Sequence, residues 1–149
     1  MAVYFFDTSV IVKRYVQETG TAWVQGLTAP SAGHSLILAR ITLVETIAAV
    51  TRRARFGNIS PVDAATAITD FEFDFGRQYF IIEISAGLVV QAASLAKQHA
   101  LRGYDAVQLA AAIQLHAQDP SMTLISADAE LNKIALTAGL TVEDPNTHP

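Results

Sequence analysis

Short apolar runs alternate with longer segments of helical periodicity along the whole chain. The short runs predict buried strands at Val3–Phe6, Ser35–Ala39, Tyr79–Ile84, Met122–Ser126 and Leu140–Val142. The longer segments predict helices at Ser9–Tyr15, Thr21–Leu27, Leu43–Arg55, Pro61–Phe75, Leu88–Ala100, Asp105–His116 and Ala129–Ala138. Strands without a polar face that alternate with helices are typical of a parallel sheet covered on both sides.

The predicted fold class is therefore α/β, a three-layer α/β/α sandwich around a mainly parallel sheet of four to five strands. A chain of 149 residues favours one domain with a single core. We expect this domain to comprise residues 1–143, followed by a C-terminal tail at 144–149.

Composition narrows the possible classes of protein. Apolar residues make up 51% of the chain and charged residues 16%, which argues against disorder. No apolar stretch approaches the roughly 20 residues that cross a bilayer, and Asp7 and Lys13 interrupt the first apolar segment. We therefore expect a cytoplasmic protein without a signal peptide or membrane segment. The absence of cysteine excludes disulfide bonds and thiolate metal sites.

Four acidic residues stand out because each lies in or beside a strongly apolar segment. Asp7 and Asp128 follow two predicted strands, whereas Glu45 and Asp105 lie in the first turns of two predicted helices. A buried carboxylate is costly unless it is paired or bound to a metal. The ligand crevice of a parallel sheet lies outside the carboxyl ends of its strands, where these four positions can converge. They indicate a site for a hard cation, Mg²⁺ or Mn²⁺.

Each of these acids also has an ordinary structural explanation. Asp7 and Asp128 can cap the helices that follow them, and Asp105 can cap its helix or complement the helix dipole. Thr42 to Glu45 matches a capping box, in which the glutamate accepts from the backbone N–H of the cap residue. For Glu45 taken alone, the capping box is the favoured interpretation. The joint placement of four acids is what favours a shared site.

The overall charge leaves a nucleic-acid substrate open. The net charge of −4 argues mildly against binding through a basic surface. Without the four acids above, ten acidic side chains would balance ten basic ones. The chain has no phosphate-binding loop, no glycine-rich dinucleotide motif and no serine nucleophile elbow.

Four short motifs, in this order, resemble the PIN-domain family and in particular the VapC-like toxin ribonucleases: Phe6-Asp7-Thr8-Ser9, Leu43-Val44-Glu45, Arg102 to Ala110, and Ser126-Ala127-Asp128. Their order and placement span nearly the whole chain, from Val3 to about Val142. The resemblance implies an endoribonuclease that depends on Mg²⁺ or Mn²⁺, a homodimer, and a cognate antitoxin protein that holds the toxin inactive.

The resemblance also implies residue roles. It makes Asp7, Glu45, Asp105 and Asp128 the catalytic metal site, with Asp7 and Asp105 the stronger candidates for direct ligands. Polar residues that would support this site are Thr8, Ser9 and Ser126. Candidate RNA contacts, from their positions near the crevice or at a helix end, are Lys13, Arg14 and Arg52.

Two other functions stay open from the sequence. One is a PIN-fold protein that acts as a non-catalytic protein- or RNA-binding module. The other is phosphoryl transfer through a covalent intermediate on Asp7, although the residue two positions later is serine rather than a second acid.

Overall fold

The computed structural model describes all 149 residues. Its strands are β1 Val3–Phe6, β2 Ser35–Ala39, β3 Tyr79–Ile82, β4 Thr123–Ile125 and β5 Thr141–Glu143. Its helices are α1 Thr8–Tyr15, α2 Thr21–Thr28, α3 Thr42–Arg55, α4 Pro61–Phe75, α5 Ala86–His99, α6 Gly103–Gln118 and α7 Ala129–Thr137. Every predicted strand and helix is confirmed, with ends that shift by at most two residues. None of the helices combines the length and the apolar character needed to span a membrane.

All five strands form one parallel sheet in the order β3-β2-β1-β4-β5. The central strand is β1, in which Phe5 is in register with Ile37 of β2 and Leu124 of β4. The chain leaves β1 toward β2 and β3 on one side and later adds β4 and β5 on the other. This reversal makes the gap between the carboxyl ends of β1 and β4 the topological switch point, where such sheets bind ligands.

Alternating side chains of β1 divide the interior into two cores, one on each face of the sheet. Phe5 packs with Leu109 of α6 and Leu131 of α7. The next residue, Phe6, packs on the opposite face with Val10 of α1 and Phe71 of α4. Both phenylalanines are fully buried, as expected for a parallel sheet covered on both sides. The three-layer sandwich is thus confirmed.

The residues predicted to form a C-terminal tail pack against the domain. Pro145 is buried within a single 3₁₀ turn, and the ring of His148 stacks on that of Trp23 with centroids 4.1 Å apart. Gly20 has φ +87°, and a Cβ there would lie 2.4 Å from the carbonyl oxygen of Pro145. Only glycine therefore fits this close approach. The domain boundary at residue 143 stays a prediction.

Candidate active site

Asp7 lies at the switch point, directly after β1 and before α1. Its backbone N–H donates to the carbonyl oxygen of Ile125 at 3.1 Å, which extends the pairing of β1 with β4 by one bond. Its carboxylate caps α1 by accepting from the backbone N–H of Ser9 and also accepts from the Ser126 hydroxyl at 2.6 Å. Asp7 is only 5% exposed, so its carboxylate is held between the two strand ends.

The loop after β4 is tied to the same strand end. The Ser9 hydroxyl accepts from the backbone N–H of Ala127 at 3.0 Å, and the Ser126 hydroxyl accepts from the N–H of Asp128 at 3.1 Å. Asp128 then caps α7 through the backbone N–H groups of Glu130 and Leu131. The predicted supporting residues Ser9 and Ser126 therefore join Asp7 to Asp128.

Glu45 is reached through a chain of side-chain hydrogen bonds that starts beside Asp7. The Thr8 hydroxyl donates to Glu45 Oε1 at 3.0 Å. The buried amide Nε2 of Gln108 lies 2.8 Å from Glu45 Oε1, 2.9 Å from Thr42 Oγ1 and 3.2 Å from Thr8 Oγ1. A single amide group of α6 thus positions side chains from α1 and α3.

This geometry contradicts the capping box predicted for Glu45. Thr42 lies inside α3, the residue before the helix is Ile41, and no side chain caps that end. The carboxylate of Glu45 points across to Thr8 and Gln108 instead. The local four-residue pattern fitted a capping box, but the hydrogen bonds between elements decide where the side chain lies.

Asp105 lies in the first turn of α6 and is more open to solvent than Asp7. It forms an ion pair with Arg102, whose Nε lies 3.2 Å from Asp105 Oδ2, and the Arg102 side chain is 85% exposed. An exposed pair of this kind contributes at most about 1 kcal/mol. Asp105 does not cap α6, because Arg102 occupies the cap position and makes no side-chain cap bond.

The electrostatics tie the four acids together in two pairs. Burial raises the pKa of Asp7 to about 6, and the nearby charge of Asp128 adds to this rise, against the opposing hydrogen bonds from Ser126 and Ser9. Burial also raises the pKa of Glu45, and Asp105 adds to that rise. Asp7, Glu45 and Asp128 form no ion pair with any basic side chain. Three of the four acids thus lack a cationic partner, and we call the group of Asp7, Glu45, Asp105 and Asp128 the acidic crevice.

The donor set of the acidic crevice fits a hard divalent cation. It offers carboxylate and hydroxyl oxygens, which such ions prefer, and no basic side chain offsets the burial that raises the pKa of Asp7. In this conformation, however, no three acidic or histidine side chains lie close enough together to hold an ion. Asp105 and Asp128 are partly exposed, whereas Asp7 is buried.

The basic residues proposed as RNA contacts have unequal surroundings. Lys13 is buried, with its ammonium group 3.5 Å from Glu18, and Arg14 is held by Asp74, Gln78 and Tyr79 on the far side of α1. Arg52 is exposed on α3. Internal partners therefore occupy two of the three, and their contact with RNA stays a prediction.

Gln108 is the site residue that sequence reasoning missed. It is 2% exposed, and its side-chain oxygen has no hydrogen-bond partner. A glutamine in an alanine-rich helix carries no acidic signature. Its position, one helical turn after Asp105, was nevertheless a usable signal, because residues three apart share a helix face.

Comparison with known proteins assigns this architecture to a family. The sequence pattern of the PIN domain matches residues 4–136. The chain belongs to the PIN-domain family. The ribonuclease VapC49 of Mycobacterium tuberculosis is 32% identical to this PIN-domain protein over 149 residues, and the alignment covers 100% of both chains.

Solved structures share the same fold. Mycobacterium tuberculosis VapC20, described as a toxin that cleaves the Sarcin-Ricin loop, has a TM-score of 0.65 and 17% identity over 93% of this chain and 96% of that one. A toxin-antitoxin complex from Klebsiella pneumoniae has a TM-score of 0.62 and 18% identity over 97% of this chain and 98% of that one. At these identities the likeness is one of fold, including the parallel sheet that forms the crevice.

Proposed function

We propose that this PIN-domain protein is a metal-dependent endoribonuclease that hydrolyses RNA phosphodiester bonds at the acidic crevice. One observation carries this proposal. Asp7 and Asp128 at the switch point of the sheet have no cationic partner. Burial also raises the pKa of Asp7 to about 6. A stable fold gains nothing from such an arrangement, whereas a nuclease gains a place for a divalent cation.

The residues of the crevice take distinct roles. Asp7 and Asp105 are the proposed direct ligands, and Glu45 and Asp128 complete the set directly or through water. Mg²⁺ or Mn²⁺ bound there supplies positive charge at the phosphate and promotes ionisation of the attacking water.

The chain's own polar residues keep the acids in place. Thr8 and Gln108 orient Glu45 through hydrogen bonds, and Ser126 fixes one oxygen of Asp7. Donors of this kind around metal-binding carboxylates commonly matter about 10- to 100-fold for metal affinity or activity.

RNA is the substrate that the relatives support. VapC49 carries the name of a ribonuclease and is similar along the whole chain, and VapC20 cleaves an RNA loop. Single-stranded or looped RNA suits a site at the carboxyl ends of the strands, because its backbone and bases are exposed.

Cleavage of a random-sequence pool of single-stranded RNA, with and without Mg²⁺ or Mn²⁺, tests the proposal. We expect metal-dependent products that Asp7→Asn and Asp105→Asn each reduce by roughly 1,000-fold, because loss of several kcal/mol of charge stabilisation has that effect. Asn is itself a good helix cap for α1 at position 7, and Asp105 makes no cap bond, so both variants should keep the fold. Asp70→Asn, which alters an exposed acid of α4, is the matched control and should cleave normally. Retained cleavage in either crevice variant removes that residue from its role.

A toxin role with a cognate antitoxin is part of the same proposal. The Klebsiella pneumoniae relative in fold was solved as a toxin-antitoxin complex. Expression of the wild-type protein should arrest bacterial growth, Asp7→Asn should not, and co-expression of the cognate antitoxin should restore growth. Growth arrest by Asp7→Asn as strong as that by wild type would refute toxicity through the nuclease. A homodimer stays a prediction.

The separation of the acids into two pairs is the observation that favours a second candidate, a non-catalytic PIN-fold module that binds protein or RNA. It predicts that Mn²⁺ titration shows no saturable binding and that the RNA pool stays intact. Saturable Mn²⁺ binding that Asp7→Asn weakens would reject it.

A further inference from the structure

An apolar pocket of about 380 Å³ opens directly beside the acidic crevice. It lies where the start of α3 meets the start of α6. Its lining residues are Ile41, Arg102, Gly103, Tyr104 and Val107. Asp105 lies between two of these residues in sequence, and Ile41 precedes α3, which carries Glu45. The pocket and the crevice are therefore neighbours on both helices.

Tyr104 forms the most exposed aromatic surface of this pocket. Its side chain is 61% exposed, and it takes part in none of the aromatic pairs or cation–π contacts of the protein. No aromatic ring or basic group of the protein packs on the Tyr104 ring. Its backbone is nevertheless fixed within the first turn of α6, so the side chain starts from a defined point beside Asp105.

Arg102 supplies a cation on the rim of the same pocket. Its only partner is Asp105, in the exposed ion pair described above. Water screens such a pair strongly, so the guanidinium group is free to exchange partners when an anion or a flat ring system arrives. Arginine stacks on π systems and also binds phosphate through its planar donors.

An aromatic face, a planar cation and aliphatic walls together match a nucleobase. Unpaired bases stack on aromatic side chains and on guanidinium planes, and such stacking tolerates any base because every base has a π face. Tyr104 and Asp105 are consecutive, with Cα atoms about 3.8 Å apart. A nucleotide next to a phosphate held at the carboxylates therefore lies within reach of the Tyr104 ring.

We propose that Tyr104, with Arg102 on the rim, forms a base-stacking subsite that binds one nucleobase of single-stranded RNA beside the cleaved phosphate. This subsite rests on the proposed nuclease function. It holds the substrate strand in register but does not touch the reacting atoms. Its loss should therefore weaken substrate binding and leave the chemical step intact.

Steady-state cleavage of the random-sequence RNA pool tests the subsite. Tyr104→Ala should raise KM about tenfold to a hundredfold with kcat unchanged, and Tyr104→Phe, which keeps the ring, should stay within about twofold of wild type. Phe73→Ala is the matched control, because Phe73 is 58% exposed, lies beside Arg77 and belongs to α4. An unchanged KM for Tyr104→Ala, or an equal rise for Phe73→Ala, overturns the subsite.

A second arm identifies the base itself. Once a cleaved oligonucleotide is chosen from the pool, each nucleotide near the cleaved phosphate is replaced in turn by an abasic one. One position should raise KM for wild type but not for Tyr104→Ala, because both changes remove the same contact. Fully additive effects at every position would show that the ring contacts no base.

Two further outcomes separate the possible failures. If wild type cleaves no RNA, the proposed nuclease function itself fails. If wild type cleaves normally and only the subsite predictions fail, the nuclease function stands alone. Sedimentation of wild type and Tyr104→Ala should give equal masses, and a smaller mass for the variant would assign the ring to an interface between copies of the chain and overturn the subsite.

Discussion

The two ends of α1 both carry buried polar groups, but only one end balances its charge. At the carboxyl end, Arg14 lies 3.3 Å from Asp74, and the hydroxyls of Tyr15 and Tyr79 complete the hydrogen bonding. At the amino end, the buried carboxylate of Asp7 has hydroxyl and backbone donors but no cation. Charge balance, rather than burial, distinguishes the polar cluster that serves the fold from the one that we assign to function.

We call the group of Arg14, Tyr15, Asp74, Gln78 and Tyr79 the balanced cluster. Burial raises the pKa of both Tyr15 and Tyr79, so each phenol keeps its proton and can donate. Every charged group in the cluster therefore has partners of the right kind. The balanced cluster and the acidic crevice make opposite predictions for stability and activity.

The largest expected effect is on the balanced cluster. Arg14→Met leaves the partly buried Asp74 without its cation and should lower the free energy of unfolding by about 3 kcal/mol, the low end of the cost for a buried pair, measured by urea denaturation. Cleavage per folded molecule should stay normal. The double variant Arg14→Met/Asp74→Leu should recover much of the loss, because apolar residues replace both charges. A single variant as stable as wild type would contradict a structural role for this pair.

The opposite sign is expected at the acidic crevice. The folded pKa of Asp7 lies at about 6, above its ordinary value of 3.8, so between these pH values the folded state binds more protons than the unfolded state. Stability contributed by this group is therefore lost as pH rises through that window. In EDTA at neutral pH, Asp7→Asn should raise the free energy of unfolding by up to about 3 kcal/mol. Parallel pH profiles for wild type and variant would contradict the burial cost.

Added metal should reverse that cost in the wild-type protein. An ion that binds only the folded state at about 100 times its Kd stabilises it by about 2.7 kcal/mol. Mg²⁺ or Mn²⁺ should therefore raise the melting temperature of wild type, and much less that of Asp7→Asn or Asp105→Asn. Asp74→Asn serves as the control from the balanced cluster, and it should keep the full metal response despite its lower starting stability. Equal responses in all variants would place metal binding elsewhere.

The smallest effect is expected from Gln108, whose amide joins Glu45 to Thr8 beside Asp7. Gln108→Leu removes the amide that holds Glu45 and should reduce kcat about 10- to 100-fold, while Gln108→Glu should also weaken metal-free stability by adding a fifth carboxylate. Kinetics measured with saturating RNA separate this from the KM effect expected for Tyr104→Ala. A normal kcat for Gln108→Leu would mean that Thr8 alone positions Glu45.

Most of the fold could be predicted because hydrophobic periodicity records burial directly. Val3–Phe6 is apolar on both faces, and the structure buries Phe5 and Phe6 in separate cores. Hydrophobic periodicity could not predict the order of the strands, because the pattern within one strand does not indicate which strand pairs with it. The packing of Pro145 and His148 was equally hidden, because its partners Gly20 and Trp23 lie more than a hundred residues away.

The site was predictable to the extent that charge in apolar surroundings is unusual. Asp7 stood out for that reason, and its burial bears out the physical premise. Taken alone, Glu45 fitted a capping box better than a shared site, because local spacing says nothing of Thr8 and Gln108, which reach it from other elements. Gln108 was not predicted as a site residue because a neutral amide carries no charge signal in the sequence, and its hydrogen-bond partners lie on other elements.

The hydrogen bond between Ser126 and Asp7 joins residues 119 positions apart. During translation, β1 and α1 are made first, but β4, which pairs with β1, and Ser126, which directly follows β4, are among the last segments synthesised. A nascent chain therefore acquires the crevice only after residue 128 has left the ribosome. Fragments that end before residue 126 lack Ser126 and Asp128, so the complete site forms only in a late step of biosynthesis.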